Sequence, residues 1–230
     1  MKMGKKRKKK GQAKQILTNN LIRVGKDFAT LNVWKQRVYD EKIVRIKGKE
    51  YRIWNPKKSK IAAALKKGLK MLPVKKGDKI LYLGIASGTT ASHLSDIIER
   101  EGMIYGVEFS SRVFRDLMII CKERKNIAPI LGDARKPEEY SFLIPSVDVL
   151  FCDVAQPDQV EIFERNAEWF LKKSGYAMIA IKARSIDVSK RPEVVFREAE
   201  EKLKRNFEII QKVRLDPFEK DHAFFLCKYV

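Results

Sequence analysis

From Lys79 onward the chain alternates short apolar runs with longer segments of helical periodicity, and that rhythm restricts the fold more than any other feature. The apolar runs fall near 79–84, 103–109, 127–131, 147–152 and 175–182, and the 3.6-residue pattern predicts helices at about 89–100, 110–124, 157–172 and 190–205. Strands alternating with helices predict a parallel sheet covered on both faces, because each crossover must lie against one of them. The end of the chain breaks the rhythm. Phe207 to Leu215 and His222 to Tyr229 are joined by a short Asp-Pro-Phe loop with no room for a crossover, so these two strands must run antiparallel. The expectation is an α/β fold with a seven-stranded mixed sheet and helices on both faces.

The N-terminal part reads differently. Between Ile16 and Trp54, short alternating stretches at 21–24, 28–31, 42–46 and 50–54 predict antiparallel strands, with Lys47-Gly48-Lys49 as the clearest turn. Asn55-Pro56 closes this piece, so a small β-rich domain is expected over 15–55 and the larger α/β domain over 56–230. The larger domain should open with a helix from Ser59 to Met71, with Ile61, Ala64, Leu65, Gly68 and Leu72 on one face. Residues 1–14 form a Lys/Arg run without apolar period, expected to be a disordered basic tail.

Composition narrows the partners. The chain of 230 residues carries 49 Lys and Arg against 29 Asp and Glu, a formal charge of +20. A balanced Lys/Glu surface does not produce such an excess, whereas a polyanionic partner such as RNA rewards it through counterion release. Cys121, Cys152 and Cys227 sit in or beside apolar runs without C-x-x-C spacing, as expected of reduced, buried thiols. No apolar run reaches the ~18 residues of a spanning helix, and the basic start lacks an apolar h-region. A cytoplasmic protein with no membrane partner is the expectation.

Four successive strand ends carry the chemistry. Leu83-Gly84-Ile85-Ala86-Ser87-Gly88-Thr89-Thr90 joins the first strand of the larger domain to its helix, where glycines admit a ligand close to the backbone at a helix N-terminus. Glu108 and Phe109 end the next strand, where a carboxylate can take both hydroxyls of a ribose. Asp133 and Ala134 follow the third, suited to an adenine edge, and Asp153-Val154-Ala155-Gln156 follow the fourth. The spacing Gly84-x-Ala86-x-Gly88 departs from Gly-x-Gly-x-x-Gly and so disfavours a dinucleotide pyrophosphate. Together with the antiparallel ending, this favours S-adenosyl-L-methionine and the Rossmann-like class I methyltransferase architecture over NAD and a dehydrogenase. No His/Cys cluster has metal-ligand spacing, so no metal is expected, and His93, within a helix, reads as structural.

The chain resembles the fibrillarin family, in particular its archaeal form, from Ile43 onward. The resemblance rests on Tyr51-Arg52-Ile53-Trp54-Asn55-Pro56 with Ser59-Lys60, Leu81 through Thr90, Val107-Glu108-Phe109-Ser110, Asp153 through Gln159, Ile181-Lys182-Ala183 and Glu219-Lys220-Asp221-His222-Ala223. It implies methylation of ribose 2′-hydroxyls in rRNA and tRNA, with targets chosen by a box C/D guide RNA. The implied partners are a Nop-type scaffold and a kink-turn-binding ribosomal-type protein. The Gly/Arg-rich extension of eukaryotic members does not occur in this sequence, so nucleolar behaviour is not expected.

The resemblance also implies a catalytic tetrad of Lys60, Asp153, Lys182 and His222. Lys182, at the end of an apolar run, is expected to be a buried ammonium that activates the 2′-oxygen, oriented by Asp153. Lys60 would add a second positive contact and His222 would complete the network; the proton acceptor among them is left open. Two other functions stay in view: a stand-alone RNA or protein-glutamine methyltransferase, and a non-catalytic scaffold.

Overall fold

The computed structural model describes residues 13–18 and 20–230. Residues 1–12 of the expected basic tail lie outside the described residues. Strand β1 (Ala13–Thr18) begins inside that expected tail, and β2 (Leu21–Val24), β3 (Asp27–Leu31), β4 (Ile43–Ile46) and β5 (Lys49–Trp54) follow it. These strands pair antiparallel in one sheet of order β1-β2-β3-β5-β4.

Helix α1 (Lys60–Lys66) is shorter than its periodicity suggested. Gly68 takes φ +100°, the Leu69 N–H donates to the Ala64 carbonyl and the Gly68 N–H to the Leu65 carbonyl. That pattern is a Schellman stop, and the apolar residues beyond it pack as coil. The chain continues through β6 (Lys79–Leu83), α2 (Thr89–Ile98), β7 (Met103–Glu108), α3 (Ser111–Glu123), β8 (Ile127–Leu131), β9 (Val147–Cys152), α4 (Gln159–Phe170), β10 (Leu171–Lys182), the single turn α5 (Ala183–Ile186), α6 (Pro192–Leu203), β11 (Phe207–Arg214) and β12 (His222–Tyr229). β10 starts directly where α4 ends, four residues before the expected 175.

The second sheet has seven strands in the order β11-β12-β10-β9-β6-β7-β8. β6 to β10 run parallel, and β12 is antiparallel to both β10 and β11. Alternate residues of β6 enter opposite faces. Ile80 and Tyr82 pack with α1, α2 and α3, while Leu81 and Leu83 pack with α4 and α6. The chain leaves β6 to one side toward β7 and β8, then returns to the other side for β9 and β10. The crevice at the carboxyl ends of β6 and β9 is therefore the switch point where open α/β sheets bind ligands.

Helix α2 is buried from Thr90 to Ile98, polar residues included. Ala91, Leu94, Ile97 and Ile98 join the core above the seven-stranded sheet, so Ser92, His93 and Asp96 must meet the N-terminal sheet. They do so through a fully buried ionic network. Arg52 of β5 donates to Asp96 Oδ2 at 2.7 Å and to Glu41 Oε1 at 2.7 Å, and Arg124 donates to Asp96 Oδ1 at 2.8 Å. All four side chains have zero exposure. The Thr30 hydroxyl donates to the Asp96 carboxylate, so it must accept from His93 Nδ1, which leaves Nε2 to accept from the Tyr39 hydroxyl at 2.6 Å. Burial, with the charges of Arg52 and Arg124, holds His93 well below the usual histidine range, and it stays neutral. His93 also stacks on Trp54 at 4.8 Å, a structural role in keeping with its reading in the sequence.

Removing one partner from a buried pair leaves its mate charged and unpaired, which costs about 3–5 kcal/mol. Arg52→Met is expected to lose about that much in urea unfolding. Arg45→Met, which breaks the exposed pair with Glu50, should leave the unfolding midpoint almost unchanged.

Candidate active site

The cleft is built at the ends of four parallel strands. Gly84 follows β6 at φ +73°, and a Cβ there would lie 3.0 Å from the Asp153 carbonyl oxygen and 3.2 Å from Val154 Cγ1. Only glycine lets the two strand ends close this tightly. The Asp153 N–H in turn donates to the Leu83 carbonyl at 2.9 Å, locking β9 beside β6. A cavity of about 290 Å³ opens from this point.

Of the sequence-predicted ligand residues, Gly84, Ala86, Glu108, Phe109, Asp133, Ala134, Asp153, Val154, Ala155 and Gln156 all line this cavity. Ala86 takes φ +52°, unusual for a residue with a side chain, and its N–H donates to Glu108 Oε2 at 3.0 Å. Glu108 Oε1 accepts the Ser110 N–H at 2.8 Å. Each oxygen has one backbone donor, so the carboxylate keeps lone pairs for a diol. Phe109 is 74% exposed at the rim, its ring face available for stacking on a purine. Asp133 Oδ1 caps the Arg135 N–H at 2.9 Å, leaving Oδ2 for a donor on the ligand. This donor set fits the adenosine part of S-adenosyl-L-methionine.

Thr89 and Thr90 do not line the cavity. The Thr90 hydroxyl donates to Ser59 Oγ at 2.9 Å, and its side chain is buried behind the cleft. The N–H groups of the two threonines, at the start of α2, have no carbonyl one turn back.

The expected catalytic residues gather beside this cleft, in a different arrangement from the one the sequence suggested. Asp153 holds Lys60, not Lys182: the Lys60 ammonium lies 2.9 and 3.0 Å from the two carboxylate oxygens. Ser59 accepts the Ala62 N–H as the N-cap of α1, which sets Lys60 at the first turn. Lys182 is exposed at the end of β10, so the expectation of a buried ammonium there is corrected. It is the last residue of the strand and the only one of 177–182 whose side chain is exposed. Lys182 and His222 are directly paired across β10 and β12.

His222 is 6% exposed, and its Nδ1 lies 2.7 Å from the Lys220 carbonyl. A carbonyl only accepts, so Nδ1 carries the proton and Nε2 is an open acceptor. Burial, then the charges of Lys60 and Lys182, hold His222 below the usual histidine range, although the Lys220 carbonyl and Glu219 oppose them. Burial pushes Asp153 up to about 6, with Lys60 working against the rise and Glu219 adding to it. Lys60 itself is raised: burial would lower it, but the Asp153 carboxylate prevails.

Two residues of this neighbourhood escaped the sequence reading. Glu219 was visible only as part of a motif, and its charge acts on Lys60, Asp153 and His222. Arg135 lines the cavity and donates to Asp158 and Gln156; as one arginine among many in a basic chain, it carried no signal. Among the described residues there is no His, Cys, Asp and Glu group able to hold a metal ion.

Residues 8–230 match the fibrillarin family model. The fibrillarin-like rRNA/tRNA 2′-O-methyltransferase of Pyrococcus abyssi is 60% identical over 193 residues, which cover 84% of this chain and 85% of that one. The chain belongs to the fibrillarin family. Aeropyrum pernix fibrillarin, solved in complex with natively bound S-adenosyl-L-methionine, matches with a TM-score of 0.82 and 54% identity over 90% of this chain and 92% of that one. A chain from a crystallised fibrillarin/Nop5p complex matches with a TM-score of 0.86 and 40% identity, over 94% of this chain and all (100%) of its own length. The seven-stranded sheet is therefore the class I methyltransferase sheet anticipated from the strand rhythm.

Because Lys60 opposes the upward pull of burial on Asp153, its removal should raise that carboxyl further. In a carbon-13 NMR titration Asp153 is expected to titrate near 6 in the native chain and higher in Lys60→Met. An unchanged or lower midpoint in the variant would contradict the pairing.

Proposed function

We propose that this chain transfers a methyl group from S-adenosyl-L-methionine to ribose 2′-hydroxyls of rRNA and tRNA. The observation that carries the reading is the Lys60–Asp153 ion pair, set beside the neutral His222 at the edge of a cleft that fits adenosine. In the proposed assembly a box C/D guide RNA selects the target nucleotide, and a Nop-type scaffold with a kink-turn-binding protein places it. The crystallised relative with Nop5p supports the scaffold, and the charge of +20 suits the RNA partners.

Glu108 would hold the cofactor's ribose, Phe109 its adenine face, and Asp133 with the Ala134 N–H the adenine edge. The N–H groups of Thr89 and Thr90, and the run Asp153-Val154-Ala155-Gln156, would hold the rest. When bound, S-adenosyl-L-methionine supplies a methyl group already activated by its sulfonium centre. The protein's work is therefore to position the 2′-oxygen, exclude water and manage one proton.

The side chains divide that work by environment. Lys60, held by Asp153, presents a fixed positive charge that favours the negative charge developing on the 2′-oxygen. His222, neutral and with Nε2 open, is the group suited to accept the proton. Lys182, exposed next to His222, supplies the mobile positive contact to the RNA backbone. This exchanges the roles the sequence suggested for the two lysines.

Transfer of labelled methyl to a guide-paired target, beside a target with 2′-deoxyribose at the chosen nucleotide, tests the reading in a reconstituted complex. Label is expected in the first and none in the second. Equal label in both moves the acceptor to a base or a protein, and label without guide RNA favours a stand-alone enzyme. A chain that binds the cofactor but transfers nothing is a scaffold. Lys60→Ala, Asp153→Ala and His222→Ala should each lower the rate by about 10²–10⁴-fold. The rate should also fall as pH drops through about 6, because protonating Asp153 releases Lys60, and stay level above it.

A further inference from the structure

The two lips of the cleft are joined by one side chain. Arg135, on the loop after β8, donates from Nε and Nη2 to the two oxygens of Asp158, each at 2.7 Å, and from Nη2 to Gln156 Oε1 at 3.0 Å. Asp158 and Gln156 belong to the loop after β9, which begins at Asp153. The same loop after β8 presents Asp133 and Ala134 to the cavity. Arg135 thus spans the adenine side and the catalytic side of one cleft.

Asp158 occupies the N-cap position of α4, where an aspartate normally accepts a backbone N–H of the first turn. It makes no such bond. Its carboxylate goes to Arg135 instead, so the helix forgoes a stabilising cap in favour of a contact across the cleft. The contact is not needed to fold the loop after β8. Asn166 of α4 already donates to the Ala134 carbonyl at 2.8 Å, and Arg165 to the Arg135 carbonyl at 2.7 Å. What the guanidinium adds is restraint on the loop 153–158. Arginine has no acceptor, so it also fixes the Gln156 amide with its oxygen toward the guanidinium and its NH₂ group away from it.

We propose that Arg135 is a positioning residue, a clasp that ties the loop 153–158 to the adenine side of the cleft and so sets the dissociation rate of the bound nucleoside cofactor. The clasp is half-exposed, with side-chain exposures of 39% and 41%, and it can open and re-form without unfolding the core. The proposal rests on the reading of this cleft as the cofactor site.

Asp158→Asn removes the charge yet leaves a good N-cap residue, and Arg135→Gln removes the fork, so both chains should fold. The probe is S-adenosyl-L-homocysteine, with its dissociation rate from the full chain measured by stopped flow. Amide hydrogen exchange of the ligand-free chain is followed over 132–136 and 153–158. Each variant is expected to speed dissociation about fivefold, the order of a well-formed partly exposed pair. The double variant should be no faster than either single one, and exchange should quicken over 153–158. Lys136→Gln, whose Glu139 partner lies on its own side of the cleft, should change neither. Unchanged dissociation in both single variants, or additive effects in the double, overturns the clasp and leaves the cofactor reading standing. A native chain that does not bind the probe overturns both.

Discussion

Asp96 receives Arg52, Arg124 and Thr30 on its two carboxylate oxygens, in a space with no exposure to solvent. Placing these charges out of water costs several kcal/mol per ion. The hydrogen bonds offset that cost only in part, since Arg124 Nε and Nη2 are buried without a partner among the described residues. The return is that β3, β5, α2 and the end of α3 have one way to fit together. The Ser92 carbonyl of α2 accepts from both arginines as well. With α2 fixed from behind, its first turn is fixed too. The Thr90 hydroxyl reaches Ser59, Ser59 caps α1, and the first residue of α1 is Lys60. Positional order thus passes from a buried ionic network to the Lys60 ammonium through helices rather than through loops.

The site makes opposite use of the same physics. In the core, Glu41 is held below the usual carboxylate range: burial works against its charge, but Arg52 and the backbone donors prevail. At the cleft, Asp153 has one cation and a nearby Glu219, and burial wins. A carboxyl group is thus a fixed charge in one place and a titrating group in the other because of the number of donors around it. Ala86 in the left-handed region adds local backbone strain at the cleft, of the kind that persists only where the surroundings enforce it.

The strand ends were legible because parallel strands buried on both faces read as uninterrupted apolar runs, and each run stops where the ligand residues begin. Ten of the twelve expected cofactor residues line the cavity for that reason. The two threonines could not be sorted by sequence, since a helix start looks the same whether its hydroxyls face a ligand or a neighbouring helix. Nor could Arg52, which sits in a strand of alternating pattern where a charge normally marks the solvent face. Here a second layer covers that face. The exposure of Lys182 was hidden in the same way: an apolar run before it suggests burial, but the run ends one residue earlier, at Ile181. The early stop of α1 required seeing Gly68 as a terminator rather than as a small residue on the apolar face.

The two ionic assemblies differ in exposure, and that difference suits them to different tasks. The network on Asp96 is dry, so breaking one bond leaves bare charges and the assembly holds or fails as a unit. The pair of Arg135 and Asp158 stands half in water, which solvates either group when the contact opens and keeps the two states close in energy. An enzyme of this class must release a spent cofactor each cycle from between two loops. A rigid closure would slow that release, and an unlinked pair of loops would hold the adenine side and Asp153 in no fixed relation. A guanidinium fork at intermediate exposure gives defined geometry when closed and a low barrier to opening, while the core network keeps the rest of the cleft unchanged in either state.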